Sequence, residues 1–362
     1  MGKAAAPRFY RPELDVVRFV AFLAVFLSHG LPSSSTNTNA GALVRACALG
    51  LPLFFCLSAY LITKLLLLER DRTGTVALPK FYKRRILRIW PLYLSMLAIS
   101  AAISALHHTI HQTALWYVAA LFMLANTVWW IRTTVSHLWS ISIEEQFYLF
   151  WPAAVSRLSD RALALAACAL AVLANAVLFR YGMHHAEHDG RIWGNTFVQL
   201  QFFAAGILLA LYHHTAASDA APSLLARPVL FVGALLAWFA AVRFLHALGD
   251  PGEFATGPLT LCCGYFIAVL GCVAILIAVQ GWSRWPPPLV YLGKISYGLY
   301  VFHAIALGVA DRFLLRFGRA ASVSGAFFLT VAIAACSYHF FEARFLRLKE
   351  RFEVVQSRPV GA

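Results

Sequence analysis

The chain has 362 residues, of which 60% are hydrophobic and only 13% charged, and its formal net charge is +14. A mean hydropathy of +0.70 excludes an ordinary soluble globular protein, in which roughly a quarter of the residues are charged. The basic residues cluster beside apolar runs and no nucleic-acid-binding motif accompanies them, so we expect contact with membrane lipid and no nucleic-acid partner.

Apolar runs long enough, or nearly long enough, to cross a hydrocarbon core of about 30 Å recur along the whole chain. They predict an all-α fold, a polytopic membrane helix bundle of about ten transmembrane helices with cytoplasmic N- and C-termini. The predicted spans are residues 15–31, 47–68, 87–106, 140–156, 162–179, 196–212, 228–247, 257–279, 289–309 and 321–341. We expect a single membrane domain over residues 1–362, with a cytoplasmic N-terminus at 1–14 and a basic cytoplasmic tail at 342–362.

One further apolar stretch, residues 114–131, decides whether the number of membrane spans is ten or eleven, and so on which side the C-terminus lies. Counting it as an eleventh span would place the basic tail outside, against the rule that positive charge stays in the cytoplasm. We therefore interpret 114–131 as an interfacial or re-entrant segment.

The first predicted span carries an arginine and a histidine eleven positions apart, Arg18 and His29. On a helix this spacing puts both side chains on one face, separated by about 16 Å of rise. Ionisable groups inside a membrane cost energy, so retaining both indicates a functional use.

The segment Glu69 to Pro91 (ERDRTGTVALPKFYKRRILRIWP) is predicted to be a cytoplasmic loop ending in a basic run. Arg85 and Arg88 are three residues apart and point the same way if helical, which suits a site for phosphate groups. The alternative is that both arginines only anchor the following span at the cytoplasmic surface.

Residues 135–152 (VSHLWSISIEEQFYLFWP) place Ser140, Glu144 and Tyr148 at i, i+4 and i+8, a polar stripe along an apolar helix. A carboxylate there needs a partner such as Arg18 or a role in proton transfer. The alternative is that Glu144 only ties helices together through an ion pair.

Residues 292–303 (LGKISYGLYVFH) place Ser296, Tyr300 and His303 on one helix face. A histidine in this setting is either a site residue or a hydrogen-bonded packing residue, and the sequence leaves both open. A group of histidines in a predicted external loop resembles a metal site in composition, but it has no supporting second set of ligands. We expect a solvated loop and no metal at these positions, His184, His185 and His188.

Together these segments are similar to acyltransferase family 3, membrane-bound O-acyltransferases that acylate sugars of bacterial surface polysaccharides. The resemblance covers essentially the whole chain, in order and in register. It rests on the Arg18 and His29 pattern, on LFFCLSAYLIT followed by Arg85 and Arg88, on LWSISIEEQFYLFWP and on ISYGLYVFH.

The resemblance implies a multi-pass protein of the bacterial cytoplasmic (inner) membrane that transfers an acyl group, usually acetyl, from cytoplasmic acyl-CoA. The acceptor would be a hydroxyl of a saccharide or glycolipid on the far side, such as O-antigen, exopolysaccharide or a lipid-linked sugar. It implies an essential pair in Arg18 and His29, a donor-binding pair in Arg85 and Arg88, and an acidic motif residue in Glu144.

The residues suggest a compatible mechanism. Phosphates held by Arg85 and Arg88 would let the donor arm reach inward, and His29 would act as general base on the acceptor hydroxyl. Glu144 would orient the imidazole or stabilise its protonated form, whereas Arg18 would either hold the donor or neutralise Glu144. We favour direct transfer over an acyl-enzyme, because no nucleophile is placed beside His29.

The remaining polar residues are predicted to bind substrate. They are Ser140, Tyr148, Tyr300 and His303. The competing class is a transporter or flippase that uses the buried arginine, histidine and glutamate as a translocation path. The chain shows no inverted repeat, and its basic run favours a donor that carries phosphate groups.

Overall fold

The computed structural model of the chain describes residues 9–32, 38–128, 130–183, 192–216, 221–248, 257–282 and 284–355. Within these ranges the chain is helical and contains no β-strand, which confirms the predicted all-α class. Eight helical stretches in this part of the chain are long and apolar enough to cross a membrane. The side of the membrane on which the termini lie stays a prediction.

Fourteen α-helices make up the described chain, and every predicted span falls on one or two of them. In chain order they are α1 Pro12–Gly30, α2 Asn39–Ala46, α3 Gly50–Thr73, α4 Leu78–Leu106, α5 Ile110–Leu121, α6 Trp139–Arg157, α7 Asp160–Met183, α8 Thr196–Thr215, α9 Ala226–Arg243, α10 Pro258–Val279, α11 Pro287–Lys294, α12 Ser296–Leu314, α13 Arg319–Ser337 and α14 Ala343–Glu350.

Two predicted spans, α1 and α6, are not among the eight strongly apolar stretches. Each has 19 residues, which corresponds to about 28 Å of helix and nearly matches the hydrocarbon core. Both contain charged side chains, namely Glu13, Asp15 and Arg18 in α1 and Glu144 and Glu145 in α6. These two spans carry five of the candidate site residues, namely Arg18, His29, Ser140, Glu144 and Tyr148.

The centre of the bundle contains α3 and α8. In the apolar stretches that include α3 and α8, 72% and 67% of the residues are buried inside the protein. The corresponding shares are 22% for α7 and 28% for α9, so these two helices face outward. A Cβ atom at Gly206 of α8 would lie 2.1 Å from the carbonyl oxygen of Cys56 in α3. Glycine at this position therefore allows the two backbones to touch.

The ambiguous segment 114–131 does not form a membrane-length helix. It contains the second part of α5 and a short 3₁₀ helix at Ala125–Val128. The twelve residues of α5 span about 18 Å, well short of a bilayer core. The structure thus agrees with the interfacial or re-entrant interpretation and not with an eleventh full span.

The predicted loop between the second and third spans is shorter than expected. α3 continues to Thr73 and α4 begins at Leu78, so the basic run is helical and only four residues, 74–77, connect the helices. Gly74 ends α3 in the left-handed conformation, with a φ of 75°. Arg85 and Arg88 consequently sit on a rigid helix and not on a loop.

The predicted span 289–309 is broken at Ile295, between α11 and α12. Gly293, at the end of α11, crosses α1 so closely that a Cβ atom there would lie 1.8 Å from the carbonyl oxygen of Asp15. This break was not predicted from the sequence, although Gly293, Lys294 and Ser296 interrupt the apolar run at this point.

A π-helical turn at Tyr338–Glu342 connects α13 to α14. Such turns are rare and occur frequently at functional sites. The Ser337 hydroxyl donates to Glu342 Oε1 at 3.0 Å. Beyond α14, the chain returns to α4, where Arg84 donates to the carbonyl oxygen of Phe352 at 2.8 Å.

Candidate functional site

A cavity of about 120 Å³ lies beside the N-terminal half of α1, and we call it the basic cavity. Six cationic side chains line it, against three acidic ones. The cations are Arg11, Arg18, Arg84, Arg85, Arg88 and Lys349, and the acids are Asp15, Glu69 and Glu353. Aromatic rings of Tyr10 and Phe81 complete the wall. This excess of guanidinium groups suits an anionic ligand.

A second cavity, of about 90 Å³, adjoins the first and is called the middle cavity. It shares three wall residues with the basic cavity, Arg18, Arg85 and Arg88. All three members of the α6 polar stripe line it as well, namely Ser140, Glu144 and Tyr148. The structure therefore brings the arginines and the stripe together around one space.

The third and largest cavity, the histidine cavity, has a volume of about 470 Å³. Its wall includes His29, Arg132, His137, Trp139 and Trp193. Leu51 and Tyr300 line both this cavity and the middle cavity. The three cavities thus form a series through the bundle, with Arg84, Arg85 and Arg88 at one end and His29 at the other.

Arg18 and His29 both face this interior series, as the helical spacing predicts. Arg18 lines the basic and middle cavities, whereas His29 is exposed to the histidine cavity. The separation of about three helical turns along α1 is what lets one helix contribute to both ends of the series.

Arg18 is held by a carboxylate that the sequence analysis did not single out. Its Nη1 atom donates to Asp15 Oδ1 at 2.7 Å, one helical turn earlier on α1. The Asp15 side chain is only 2% exposed and that of Arg18 is 23% exposed. The ion pair of Arg18 in this structure is with Asp15, and the two roles left open for Arg18, holding the donor and neutralising Glu144, stay predictions.

Glu144 has a different setting from the one proposed for an imidazole partner. Its Oε1 atom accepts a 2.9 Å hydrogen bond from the Ser58 hydroxyl of α3, and it lines the middle cavity, whereas His29 lines the histidine cavity. The hydrogen-bond partner that the structure gives Glu144 is Ser58, and the suggestion that Glu144 orients His29 stays a prediction. A catalytic role for Glu144 toward the donor stays a prediction.

Arg85 and Tyr148 form a contact between α4 and α6. The guanidinium carbon of Arg85 lies 4.8 Å from the centre of the Tyr148 ring, within the range of a cation–π interaction. Arg88, one turn further along α4, lines the same two cavities. The predicted two-pronged arrangement of Arg85 and Arg88 is present, and its use as a donor site stays a prediction.

Ser140 and Tyr300 are joined where the middle and histidine cavities meet. The Tyr300 hydroxyl donates to the carbonyl oxygen of His137 at 2.8 Å, which leaves Ser140 as donor of the 2.6 Å bond between the two hydroxyls. Both residues are buried. The two hydroxyl groups therefore form a polar contact at the boundary between the middle cavity and the histidine cavity.

His303 and His29 are hydrogen-bonded to each other, although 274 residues separate them in the chain. His29 Nδ1 lies 2.8 Å from His303 Nε2, and His303 Nδ1 lies 2.6 Å from the carbonyl oxygen of Tyr300. The His303 side chain is completely buried and is not among the residues that line the three cavities. Its contact in this structure is with His29, and direct binding of substrate by His303 stays a prediction.

His137 is a site residue that sequence reasoning missed. Its ring centre lies 4.7 Å from that of His303, and its Nε2 atom donates to the carbonyl oxygen of Val301 at 3.2 Å. Burial, reinforced by the nearby His29, lowers the pKa of His137 to about 3, so the ring is neutral. The sequence did offer one indication of its role, because His137 lies three residues before Ser140, the first residue of the polar stripe on α6.

Metal chemistry was not expected at this site. In the described ranges, no three histidine, cysteine, aspartate or glutamate side chains are grouped so that they could hold a metal ion. The predicted loop histidines, His184, His185 and His188, lie outside the described residues.

A bundle of apolar helices that holds arginines, a glutamate and paired histidines along an interior series of cavities defines a multi-pass membrane protein with a buried ionisable site. The model of the Acyl_transf_3 family, described as an acyltransferase domain, matches residues 11–341. The chain therefore belongs to this acyltransferase family, which confirms the family resemblance found in its motifs.

Curated relatives agree with this assignment. The chain is 26% identical over 381 residues to SAS0844 of Staphylococcus aureus (strain MSSA476), a protein named provisionally as an O-acetyltransferase, with 97% of this chain and 59% of that protein covered. It is 27% identical over 327 residues to the O-acetyltransferase OatA of Staphylococcus aureus (strain NCTC 8325 / PS 47), with 84% and 51% covered. The chain thus spans between half and three fifths of the length of these relatives. No solved structure matches it.

Proposed function

We propose that this protein is a membrane O-acyltransferase that moves an acetyl group from cytoplasmic acyl-CoA to a saccharide hydroxyl on the opposite side of the bacterial inner membrane. The observation that carries the proposal is the series of cavities between the Arg85 and Arg88 pair and His29, within a chain of the acyltransferase family. A reaction with substrates on opposite sides of a bilayer needs such a series.

The basic cavity would hold the phosphate groups of the donor. Acyl-CoA has several anionic phosphates and an adenine at one end, and a thioester at the end of a long thin arm. Guanidinium groups of Arg85 and Arg88 bind phosphate oxygens through charged hydrogen bonds, and Tyr10 offers a ring near them for the adenine. The narrow middle cavity fits an extended arm better than a bulky substrate.

The acyl group would be transferred near Tyr300, where the middle and histidine cavities meet. His29 takes the proton of the acceptor hydroxyl while the acceptor oxygen bonds to the acyl carbon. The bond between that carbon and the donor sulfur breaks, and the proton returns to the sulfur as the thiol leaves. We favour this direct transfer, because the hydrogen-bond partner of His29 is His303 and not a nucleophilic serine or cysteine.

The acceptor would enter the histidine cavity. At about 470 Å³ this space is much larger than the other two, and its wall combines indole rings with hydroxyl groups. Trp139 and Trp193, whose ring centres are 6.5 Å apart, offer apolar faces of the kind that pack on sugar rings. O-antigen, exopolysaccharide and lipid-linked sugar all fit this chemistry.

The orientation follows from charge. If the basic cavity faces the cytoplasm, the arginines and lysines of α4 and α14 lie inside, as the positive-inside rule requires. The histidine cavity then opens on the outer side.

The decisive experiment uses the purified protein in liposomes with radiolabelled acetyl-CoA and surface glycan isolated from a strain in which the gene is deleted. We expect release of the CoA thiol together with label on the glycan. Mass spectrometry of the glycan should show the gain of one acetyl mass per modified unit. Movement of glycan or label across the bilayer without covalent transfer would instead support the transporter class and reject the proposal.

A further inference from the structure

His29 belongs to a chain of hydrogen bonds that begins at a backbone carbonyl. His303 Nδ1 lies 2.6 Å from the carbonyl oxygen of Tyr300, and His303 Nε2 lies 2.8 Å from His29 Nδ1. The planes of the two imidazole rings differ by only 5°, as expected when an N–H of one ring points at the in-plane lone pair of the other.

The direction of these hydrogen bonds is fixed by elementary chemistry. A carbonyl oxygen can only accept, so His303 Nδ1 must carry a proton. His303 is completely buried, and a second proton on its ring would place a charge there without a carboxylate to balance it. A neutral ring protonated on Nδ1 has an unprotonated Nε2, which can only accept.

The ring nitrogen of His29 that carries the proton follows from the same argument. Because His303 Nε2 accepts, His29 Nδ1 must donate, and the other nitrogen of a neutral His29 is left without a proton. We propose that His303 is a positioning residue that selects this tautomer of His29, so that Nε2 is the base that receives the acceptor proton. This inference rests on the proposed function of His29.

The anchor of the chain is rigid. Tyr300 and His303 lie one turn apart on α12, so the accepting carbonyl belongs to the same helix backbone as the imidazole that it holds. Phe22 packs edge-on against the His303 ring at 6.2 Å, and His137 packs against it at 4.7 Å. The ring cannot turn without displacing these neighbours.

The arrangement resembles the base and orienting group of a hydrolase triad, with an imidazole in place of the carboxylate. A neutral imidazole can fix the tautomer of His29 and keep a hydrogen bond to the imidazolium formed during transfer, but it adds no negative charge. His303 therefore acts on the rate of transfer and leaves donor binding unaffected, since the donor cations lie in the basic cavity.

The test compares His303→Leu, which removes the acceptor, with His303→Gln, whose side-chain oxygen can accept near the position of Nε2. Acetyl transfer to glycan from the deletion strain is measured in liposomes. We expect His303→Leu to lower kcat by about 10²-fold or more, in the range seen for general-base contributions, with the KM for acetyl-CoA unchanged within about twofold. The kcat of His303→Gln should be at least about tenfold higher than that of His303→Leu.

His213→Leu is the matched control. His213 is another buried histidine, on α8, outside all three cavities, and we expect its replacement to leave kcat unchanged within about twofold. Wild-type kcat in His303→Leu, or equal losses in the Leu and Gln variants, would overturn the inference. The proposed function fails separately, if His29→Ala itself retains transfer.

A spectroscopic measurement separates positioning from folding. ¹⁵N spectra of histidine-labelled wild-type protein should show His29 protonated on Nδ1, assigned by the signal lost in His29→Ala. His303→Leu should move that proton to Nε2, the form ordinarily preferred by a free neutral imidazole. An unprotonated Nδ1 at His29 in the wild-type protein would refute the tautomer assignment.

Discussion

Gly293 of α11 packs directly on the backbone of Asp15 in α1, and Asp15 in turn holds Arg18 through a 2.7 Å ion pair. The break between α11 and α12 is therefore connected, through two contacts, to the position of a cation that lines two of the three cavities.

Gly293→Ala should destabilise the protein. The added Cβ would lie 1.8 Å from the Asp15 carbonyl oxygen, so α11 must move away from α1. Overpacking of this kind costs about 1 to 3 kcal/mol, which a thermal unfolding curve in detergent would detect as a lower Tm. Gly308→Ala on α12 is the control, because no atom lies within 4 Å of its Cβ position. Equal Tm values for the two variants would contradict the close contact.

Asp15→Asn should lower both stability and activity. Removing one member of a buried ion pair leaves an uncompensated charge, at a cost of up to about 3 to 5 kcal/mol. Asp311→Asn offers a contrast, since the Asp311 and Arg319 pair has a similar nitrogen–oxygen distance of 2.8 Å but both side chains are 39% exposed. Exposed pairs contribute about 0 to 1 kcal/mol. Both variants are compared by their unfolding in detergent and by their initial rates of transfer. An equal loss of stability in Asp15→Asn and Asp311→Asn would argue against a structural role for Asp15.

Arg85→Ala should raise the KM for acetyl-CoA by about tenfold or more, because a charged hydrogen bond to a phosphate contributes roughly 1.5 to 3 kcal/mol. The KM for the acceptor should not change. Arg85→Lys keeps the charge but loses the flat guanidinium that lies over Tyr148, and should show an intermediate KM. Arg347→Ala on the exposed face of α14 is the control. An unaltered donor KM in Arg85→Ala would remove the case for phosphate binding in the basic cavity.

His29→Ala should abolish acetyl transfer while the protein remains folded, because His29 is exposed to a cavity and its truncation leaves no packing void in the core. The loss expected for removing a general base is about 10² to 10⁴-fold in kcat. Rates of glycan labelling measure it, and a detergent melting curve checks the fold. Retention of wild-type turnover would show that another group takes the proton.

Trp193→Ala should raise the KM for the glycan acceptor and leave that for acetyl-CoA unchanged. Loss of the indole removes one of the two large aromatic faces of the histidine cavity, and aromatic contacts contribute about 0.5 to 1.5 kcal/mol beyond burial. Trp282→Ala serves as control, since Trp282 lies outside the three cavities. Equal donor and acceptor effects would count against a glycan in this cavity.

Much of the fold was accessible from the sequence, because hydrophobic periodicity and length determine where helices form in a membrane. The shared face of Arg18 and His29 and the stripe from Ser140 to Tyr148 followed from helical spacing alone. Both are local relationships within one helix, and the structure places all of these residues on the interior cavities.

The sequence could not give the partners between helices. His303 meets His29 across 274 residues, and Ser58 meets Glu144 across 86, contacts that depend on how the helices pack and not on any spacing within one of them. The missed break at Ile295 has the same origin, since it accompanies the approach of Gly293 to α1. Asp15 was overlooked because it lies at the start of an apolar run, where an acidic residue is common in any helix.

The 2.6 Å hydrogen bond between Ser140 and Tyr300 holds two side chains together where the middle cavity meets the histidine cavity. A wide water-filled channel at that depth would let protons leak across the membrane and would dissipate its proton gradient. In the proposed reaction this hydroxyl pair would keep protons from leaking while no donor is bound, and the thin acyl arm of a bound donor would separate the two side chains.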